Sequence, residues 1–171
     1  MKVFGVNGKG TVGKDALENF VKEYCNSLKI KSNKISMIDM VKDIATSIGW
    51  AGGKDMRDRL FLSRLKDLFS EYNDSPYQVV KTRIKDLDAE GSTDVLFIDA
   101  REPSDIERLV KDFNAKTILV KRDDTPAHYG NHADDGVFDY QYDIMIDNNG
   151  TLNELKDKAI KFTDEYVRGV R

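Results

Sequence analysis

The chain has 171 residues, 40% apolar and 33% charged, with a net charge of −3. This is the composition of a globular domain with a sizeable core, and its slight acidity argues against nucleic acid as the main partner. No apolar run approaches a membrane span, and the single cysteine excludes an internal disulfide, so no membrane partner and a cytoplasmic location are expected.

Val3-Phe4-Gly5-Val6 reads as a buried strand. The run Gly8-Lys9-Gly10-Thr11-Val12-Gly13-Lys14-Asp15 follows directly. It fits the phosphate-cradling pattern G-x-x-x-x-G-K-S/T at every position but the last. Backbone N–H groups of such a loop surround the β-phosphate of a nucleotide, and Lys14 would reach the β- and γ-phosphates. The helix that begins there adds the positive end of its dipole. Asp15 stands where Ser or Thr ordinarily holds Mg²⁺. It reads either as a metal ligand, direct or through water, or as a helix-start acid stabilised by the dipole.

Gly8-x-Gly10-x-x-Gly13 is also the dinucleotide-binding spacing. That reading gives Lys14 no task, and it needs an acid about 20 residues after the motif. Asp39, the nearest acid closing a second strand, lies late. The chain is also short for a dinucleotide domain plus a substrate domain. The phosphate loop is therefore preferred, with a dinucleotide-binding oxidoreductase as the alternative.

From Lys14 a helix presents Leu17, Phe20, Val21, Tyr24 and Leu28 on one face, with Cys25 as a small, buried or half-buried residue. Ile35-Ser36-Met37-Ile38 is a second strand ending at Asp39. Val41, Ile44, Ala45 and Ile48 mark a helix that stops at Gly49, and Ala51-Gly52-Gly53 is a loop. A long helix runs from about Asp55 to Tyr72, with Phe61, Leu65, Leu68 and Phe69 on its apolar face and Arg57, Arg59, Arg64 and Lys66 off it. Ser75 caps the next helix, with Pro76 at its first position and Val79, Val80, Ile84 and Leu87 continuing it. Residues 94–99 are the clearest buried strand. A short helix from Pro103 to about Phe113 leads to the strand Thr117-Ile118-Leu119-Val120.

Residues 121–142 are polar and turn-rich, as lids often are. They hold His128 and His132, with Asp134 and Asp135 nearby, but no regular set of four zinc ligands, and the two histidines read as lid surface. Asp143-Ile144-Met145-Ile146 is a last strand. Thr151 caps a final helix that buries Leu152, Leu155, Ala159, Phe162 and Tyr166. Strands alternating with helices predict one α/β domain over 1–171, in three layers, with a mostly parallel sheet covered by helices on both faces.

Ligands of an open parallel sheet bind beyond the carboxyl ends of its strands. The glycine loop, Asp39, Asp99 with Arg101, and Arg122 all follow strands and so face one crevice. Acids there can hold Mg²⁺, and arginines can neutralise a transferring phosphoryl group. Asp99 also reads as a strand-end cap, and Arg57, Arg59 and Arg64 as a solvated helix face. No serine or cysteine nucleophile pairs visibly with a base, so covalent catalysis is not expected.

Gly13-Lys14-Asp15, Ile38-Asp39-Met40-Val41-Lys42, Asp99-Ala100-Arg101 with Asp105, His132-Ala133-Asp134-Asp135 and Ile144-Met145-Ile146-Asp147-Asn148-Asn149-Gly150-Thr151-Leu152 occur in that order over nearly the whole chain. Together they resemble the nucleoside monophosphate kinases, most closely the phage-type deoxynucleoside monophosphate kinases and their phosphomevalonate kinase relatives. The resemblance implies a P-loop kinase that uses ATP and Mg²⁺ to phosphorylate a small-molecule (deoxy)nucleoside monophosphate. Gly8, Gly10, Thr11, Val12, Gly13, Lys14 and Asp15 would then hold the nucleotide, and Lys14, Arg101 and Arg122 would be catalytic. Asp15 and Asp99 would hold the metal. Asp39, Lys42, Arg57, Arg59 and Arg64 would bind the acceptor at the helices of residues 54–90, under a lid of residues 122–136. A non-catalytic nucleotide-binding module remains a third reading, compatible with Asp15 and a short middle segment.

Overall fold

The structure is a computed structural model, and it describes residues 1–124 and 136–170. Five strands form one sheet: β1 (Lys2–Asn7), β2 (Ser32–Ser36), β3 (Val95–Asp99), β4 (Lys116–Lys121) and β5 (Ile144–Asp147). Every pairing is parallel, and the order is β2-β3-β1-β4-β5. The dinucleotide fold places its first two strands side by side. Here β3 lies between β1 and β2, which removes the topological support for the oxidoreductase alternative.

The described helices are α1 (Lys14–Ser27), α2 (Asp39–Ser47), α3 (Met56–Asn73), α4 (Ser75–Ala89), α5 (Pro103–Phe113) and α6 (Leu152–Phe162). A π-helical turn, Thr163–Arg168, extends α6. No described helix is long and apolar enough to cross a membrane.

Alternation along the strands builds the two outer layers. Phe4, Val6, Val95 and Phe97 face α1 and α6, where they meet Leu17, Val21, Cys25, Leu155 and Phe162. Val3, Leu96 and Ile98 face the other way, against Val80 and Ile84 of α4 and Ile106 and Leu109 of α5. A third, smaller core of Val41, Ala45 and Leu62 joins α2 to α3, with Trp50 packed on it. The three-layer α/β expectation therefore holds, with a sheet that is parallel throughout.

Several boundaries differ from the sequence reading. β2 covers 32–36, earlier than its apolar run. It is an edge strand, so the polar residues Ser32, Asn33 and Lys34 pair through backbone with β3 while Met37 is buried beyond the strand end. Asp39 consequently opens α2, and its carboxylate accepts the Ser36 N–H at 2.7 Å. Asp74, in the left-handed conformation at φ 58°, ends α3 and precedes α4, so Ser75 is the first helical residue rather than the cap. Leu152 is exposed, and Tyr166 belongs to the π-helical turn. Thr151 caps α6 as expected, in a reciprocal box with Glu154.

Two ion-pair groups tie α3 and α4 to α5. Arg108 forks onto Asp74, at 2.7 Å for one arm, and lies 3.5 Å above the Tyr77 ring. Lys66, only 6% exposed, reaches Glu102 and Asp105 at 2.6 Å each. The sequence reading left Lys66 off the apolar face, whereas it is a buried, doubly paired cation.

Phe162 closes one core by meeting Phe4 edge-on, with ring centroids 5.2 Å apart, and stacking on Tyr166. Phe162→Ala is expected to lower the unfolding free energy by about 3–5 kcal/mol, measured by urea denaturation.

Candidate nucleotide-binding site

The loop after β1 folds around Lys14. The Lys14 ammonium donates to the carbonyls of Gly8 and of Lys9, the latter at 3.2 Å. Gly13 is the N-cap of α1, at φ 96°, a left-handed conformation that favours glycine. It has no side chain with which to cap the helix, so the first-turn N–H groups of α1 are directed at the loop mouth.

Two buried asparagines hold this loop. Asn7 accepts the Gly8 N–H at 2.7 Å and donates to the Arg101 carbonyl at 2.9 Å and to the Tyr142 hydroxyl at 2.7 Å. Asn148 donates through Nδ2 to the Val12 carbonyl at 2.8 Å, and its own N–H bonds the Lys121 carbonyl. A Cβ on Gly13 would collide with that Nδ2. The loop is thus braced from β3 on one side and from the turn after β5 on the other.

A cavity of about 580 Å³ opens from the loop. Gly10, Thr11, Val12, Gly13, Lys14 and Asp15 line it from the loop, and Lys42, Trp50, Lys54, Arg59 and Arg101 line it from other segments. Arg59, Leu62, Ser63 and Lys66 line it from α3 at the i, i+3, i+4, i+7 spacing of a single helix stripe. The Arg59 guanidinium spans toward the loop, and a Cβ on Gly10 would lie 2.6 Å from its Nη1. Trp50 is oriented by its indole N–H, which donates to Asp58 at 2.9 Å.

The structure brings together Lys14, Asp15, Lys42, Arg59, Asp99 and Arg101 of the expected residues. Arg57 and Arg64 are exposed and off the α3 stripe, so they do not line the cavity. Asp39 is engaged at the start of α2, Gly8 lies beneath the loop, and Arg122 is exposed just past β4; none of the three lines the cavity. Most of the expected lid, including His128, His132, Asp134 and Asp135, lies outside the described residues.

An acid cluster borders the cavity through Asp15 and Asp99. Asp15, Glu18 and Asp99 each offer an oxygen, and these oxygens lie within 4.8 Å of one another. The Lys34 ammonium sits among them, 2.6 Å from Asp15, 2.9 Å from Asp99 and in contact with Glu18. Glu18 is only 5% exposed, and burial, with the Asp99 charge second, pushes its carboxyl up to about 8. The hydrogen bond from Lys34 holds Asp15 below the usual carboxylate range. Burial draws Lys34 down, but Asp99 and Glu18 outweigh it and the ammonium is held above its ordinary value. Hard oxygen donors suit Mg²⁺, and one Glu18 oxygen and one Asp99 oxygen are buried without a hydrogen-bond partner among the described residues. The donor set therefore fits a divalent cation.

The sequence reading did not single out Glu18, Lys34, Asn7 or Asn148 for these roles. Glu18 had a legible signal, since it follows Asp15 by three residues and so shares its helix face. Lys34 had none, because its role depends on how β2 pairs across the sheet.

No protein-family model matches the sequence, and no curated protein sequence matches it either. The fold is similar to that of a shikimate kinase from Aquifex aeolicus, with a TM-score of 0.54, 10% identity, and coverage of 98% of this chain and 99% of that one. It is also similar to that of a sugar kinase from a Janibacter species, with a TM-score of 0.50, 12% identity, and coverage of 100% and 99%. The fold is that of the P-loop kinases. The loop from Gly8 to Asp15 is the segment of this fold that joins β1 to α1.

Asn148→Ala would leave the Val12 carbonyl without its partner, and a loss of about 1–3 kcal/mol of stability is expected, checked by thermal and urea unfolding. Glu18 supplies a pH prediction. Its folded value of about 8 lies above the ordinary 4.5, so between these values the folded state holds a proton that the unfolded state has released. Its contribution is complete below the lower value and is lost as pH rises through the upper one. Wild-type stability measured from pH 5 to pH 9 should fall more steeply than that of Glu18→Gln, whose side chain does not titrate.

Proposed function

We propose that this chain is an ATP-dependent phosphotransferase whose acceptor is a small phosphorylated molecule, a (deoxy)nucleoside monophosphate. The observation that carries the reading is the single cavity joining the P-loop to a wall bearing Lys42, Lys54, Arg59 and Arg101. The fold's similarity to a shikimate kinase and a sugar kinase supports phosphoryl transfer to a small molecule. The cationic wall favours an anionic acceptor, and Trp50 beside it offers an aromatic face for a base.

The loop and the N-terminus of α1 bind the donor phosphates, with Lys14 moving from the loop carbonyls to the β- and γ-oxygens. Arg59 belongs to the cationic wall and its guanidinium reaches the loop at Gly10, where it neutralises charge on the transferring group. An acceptor phosphate oxygen bonds to the γ-phosphorus as the bond to the β–γ bridging oxygen breaks, and ADP leaves with that electron pair. The acceptor is already an anion, so positioning and charge neutralisation replace a side-chain nucleophile. A divalent cation held at Asp15, Glu18 and Asp99 would supply further positive charge beside the donor phosphates.

The test is a phosphoryl-transfer screen with ATP and Mg²⁺ over nucleoside monophosphates, sugars and hydroxylated carboxylic acids. Turnover confined to monophosphates supports the reading, and turnover confined to either other class overturns the acceptor assignment. Lys14→Ala is expected to lose turnover by orders of magnitude with its fold intact by circular dichroism. Loss of the Arg59 charge-assisted contact should cost about 1.5–3 kcal/mol, roughly ten- to a hundredfold in kcat/KM. Arg57→Ala and Arg64→Ala, which lie off the cavity, should leave both substrates' kinetics unchanged.

A further inference from the structure

Lys34 is part of the acid cluster, not a neighbour of it. Its backbone sits on the edge strand β2, opposite Phe97 of β3. Its ammonium lies 2.6 Å from Asp15 and 2.9 Å from Asp99, and it pairs with Glu18. Donor oxygens at about 2.0–2.6 Å around one cation are separated by no more than about 5 Å, and the three carboxylate oxygens here lie within 4.8 Å of one another. Lysine and metal ion therefore compete for the same donors.

Two features show that one ammonium does not satisfy the cluster. The Glu18 side chain is 4% exposed, and its Oε1 has no hydrogen-bond partner among the described residues. Asp99 Oδ1 is likewise buried without one. Three acidic side chains face one ammonium, and the unpartnered Glu18 and Asp99 oxygens leave donor capacity for a more highly charged cation. The Lys34 side chain is 36% exposed, which gives it an outward path.

We propose that Lys34 is a resident cation that competes with a divalent metal ion for the Asp15, Glu18 and Asp99 donors. The ion binds only as Lys34 swings out, and Lys34 returns when the ion leaves. Asp15 and Asp99 are thereby kept neutralised between turnovers, and the metal-free loop does not repel an incoming phosphate anion. The inference rests on the phosphotransferase reading only for what the cation serves.

The experiment is a Mn²⁺ titration followed by electron paramagnetic resonance, with neither nucleotide nor acceptor present. Lys34→Met keeps the apolar stem and removes the competing charge. It is expected to bind one Mn²⁺ about tenfold or more tighter than wild type, and adding Asp99→Asn should abolish the gain. Equal affinity in wild type and Lys34→Met overturns the proposal. A second measurement needs only the wild-type chain: lysine acetylation read by mass spectrometry across the same titration. Mn²⁺ should raise Lys34 labelling several-fold relative to the exposed Lys22 and Lys29, and unchanged Lys34 labelling overturns the competition. Neither assay requires turnover, so a negative result here leaves the phosphoryl-transfer reading standing, and a protein without turnover can still show the competition.

Discussion

In the parallel pairing of β1 with β3, Val6 lies opposite Asp99. The ladder continues one residue further, where the Ala100 N–H reaches the Val6 carbonyl at 3.0 Å. The architecture of the site depends on this register. It brings the loop leaving β1 beside the end of β3 and sets Asp99 against Asp15 and Glu18 of α1. It also displaces β2 to the edge of the sheet, so the excursion through α2 and α3 departs from the far side of β3. The cavity is the space between that excursion and the glycine loop.

The site carries charges of both signs. Asp15, Glu18 and Asp99 gather around Lys34, and Lys14, Lys42, Lys54, Arg59 and Arg101 are among the other residues that line the cavity. In the proposed reading a triphosphate and an anionic acceptor would each meet cations, while the acids stand around Lys34. Lys66 adds little to this field although it lines the cavity, because Glu102 and Asp105 already neutralise it. Charges in such a half-enclosed space are less screened than on an open surface, so their placement weighs more than their number.

The glycine loop, the order of strands and helices and the α6 cap were legible in the sequence because each is a local pattern. Val3 to Asp15 carries its meaning within a single strand–loop–helix unit. What depends on distant pairing was not legible. Nothing near Lys34 announces three carboxylates, since the β2–β3 register assembles them. Asn148 reads as a turn residue until β5 lies beside β4 and delivers its amide to Val12. The arginines of α3 were grouped by proximity in sequence, but helical phase separates Arg59 from Arg57 and Arg64. The edge position of β2, where backbone pairing prevails over the apolar run, is why Asp39 begins a helix and does not end a strand.

The ion pairs that fasten α3 and α4 to α5 have a mechanical consequence. Lys66 is anchored in the second half of α3 by Glu102 and Asp105, and Asp74 at the α3–α4 joint is gripped by Arg108. A hinge at that joint would have to break the Arg108 fork and lift its guanidinium from the Tyr77 ring. The cavity wall that α3 supplies is therefore fixed in place by α5. In a phosphotransferase built this way, size selection among acceptors would fall to the dimensions of that fixed wall and not to a hinge between α3 and α4.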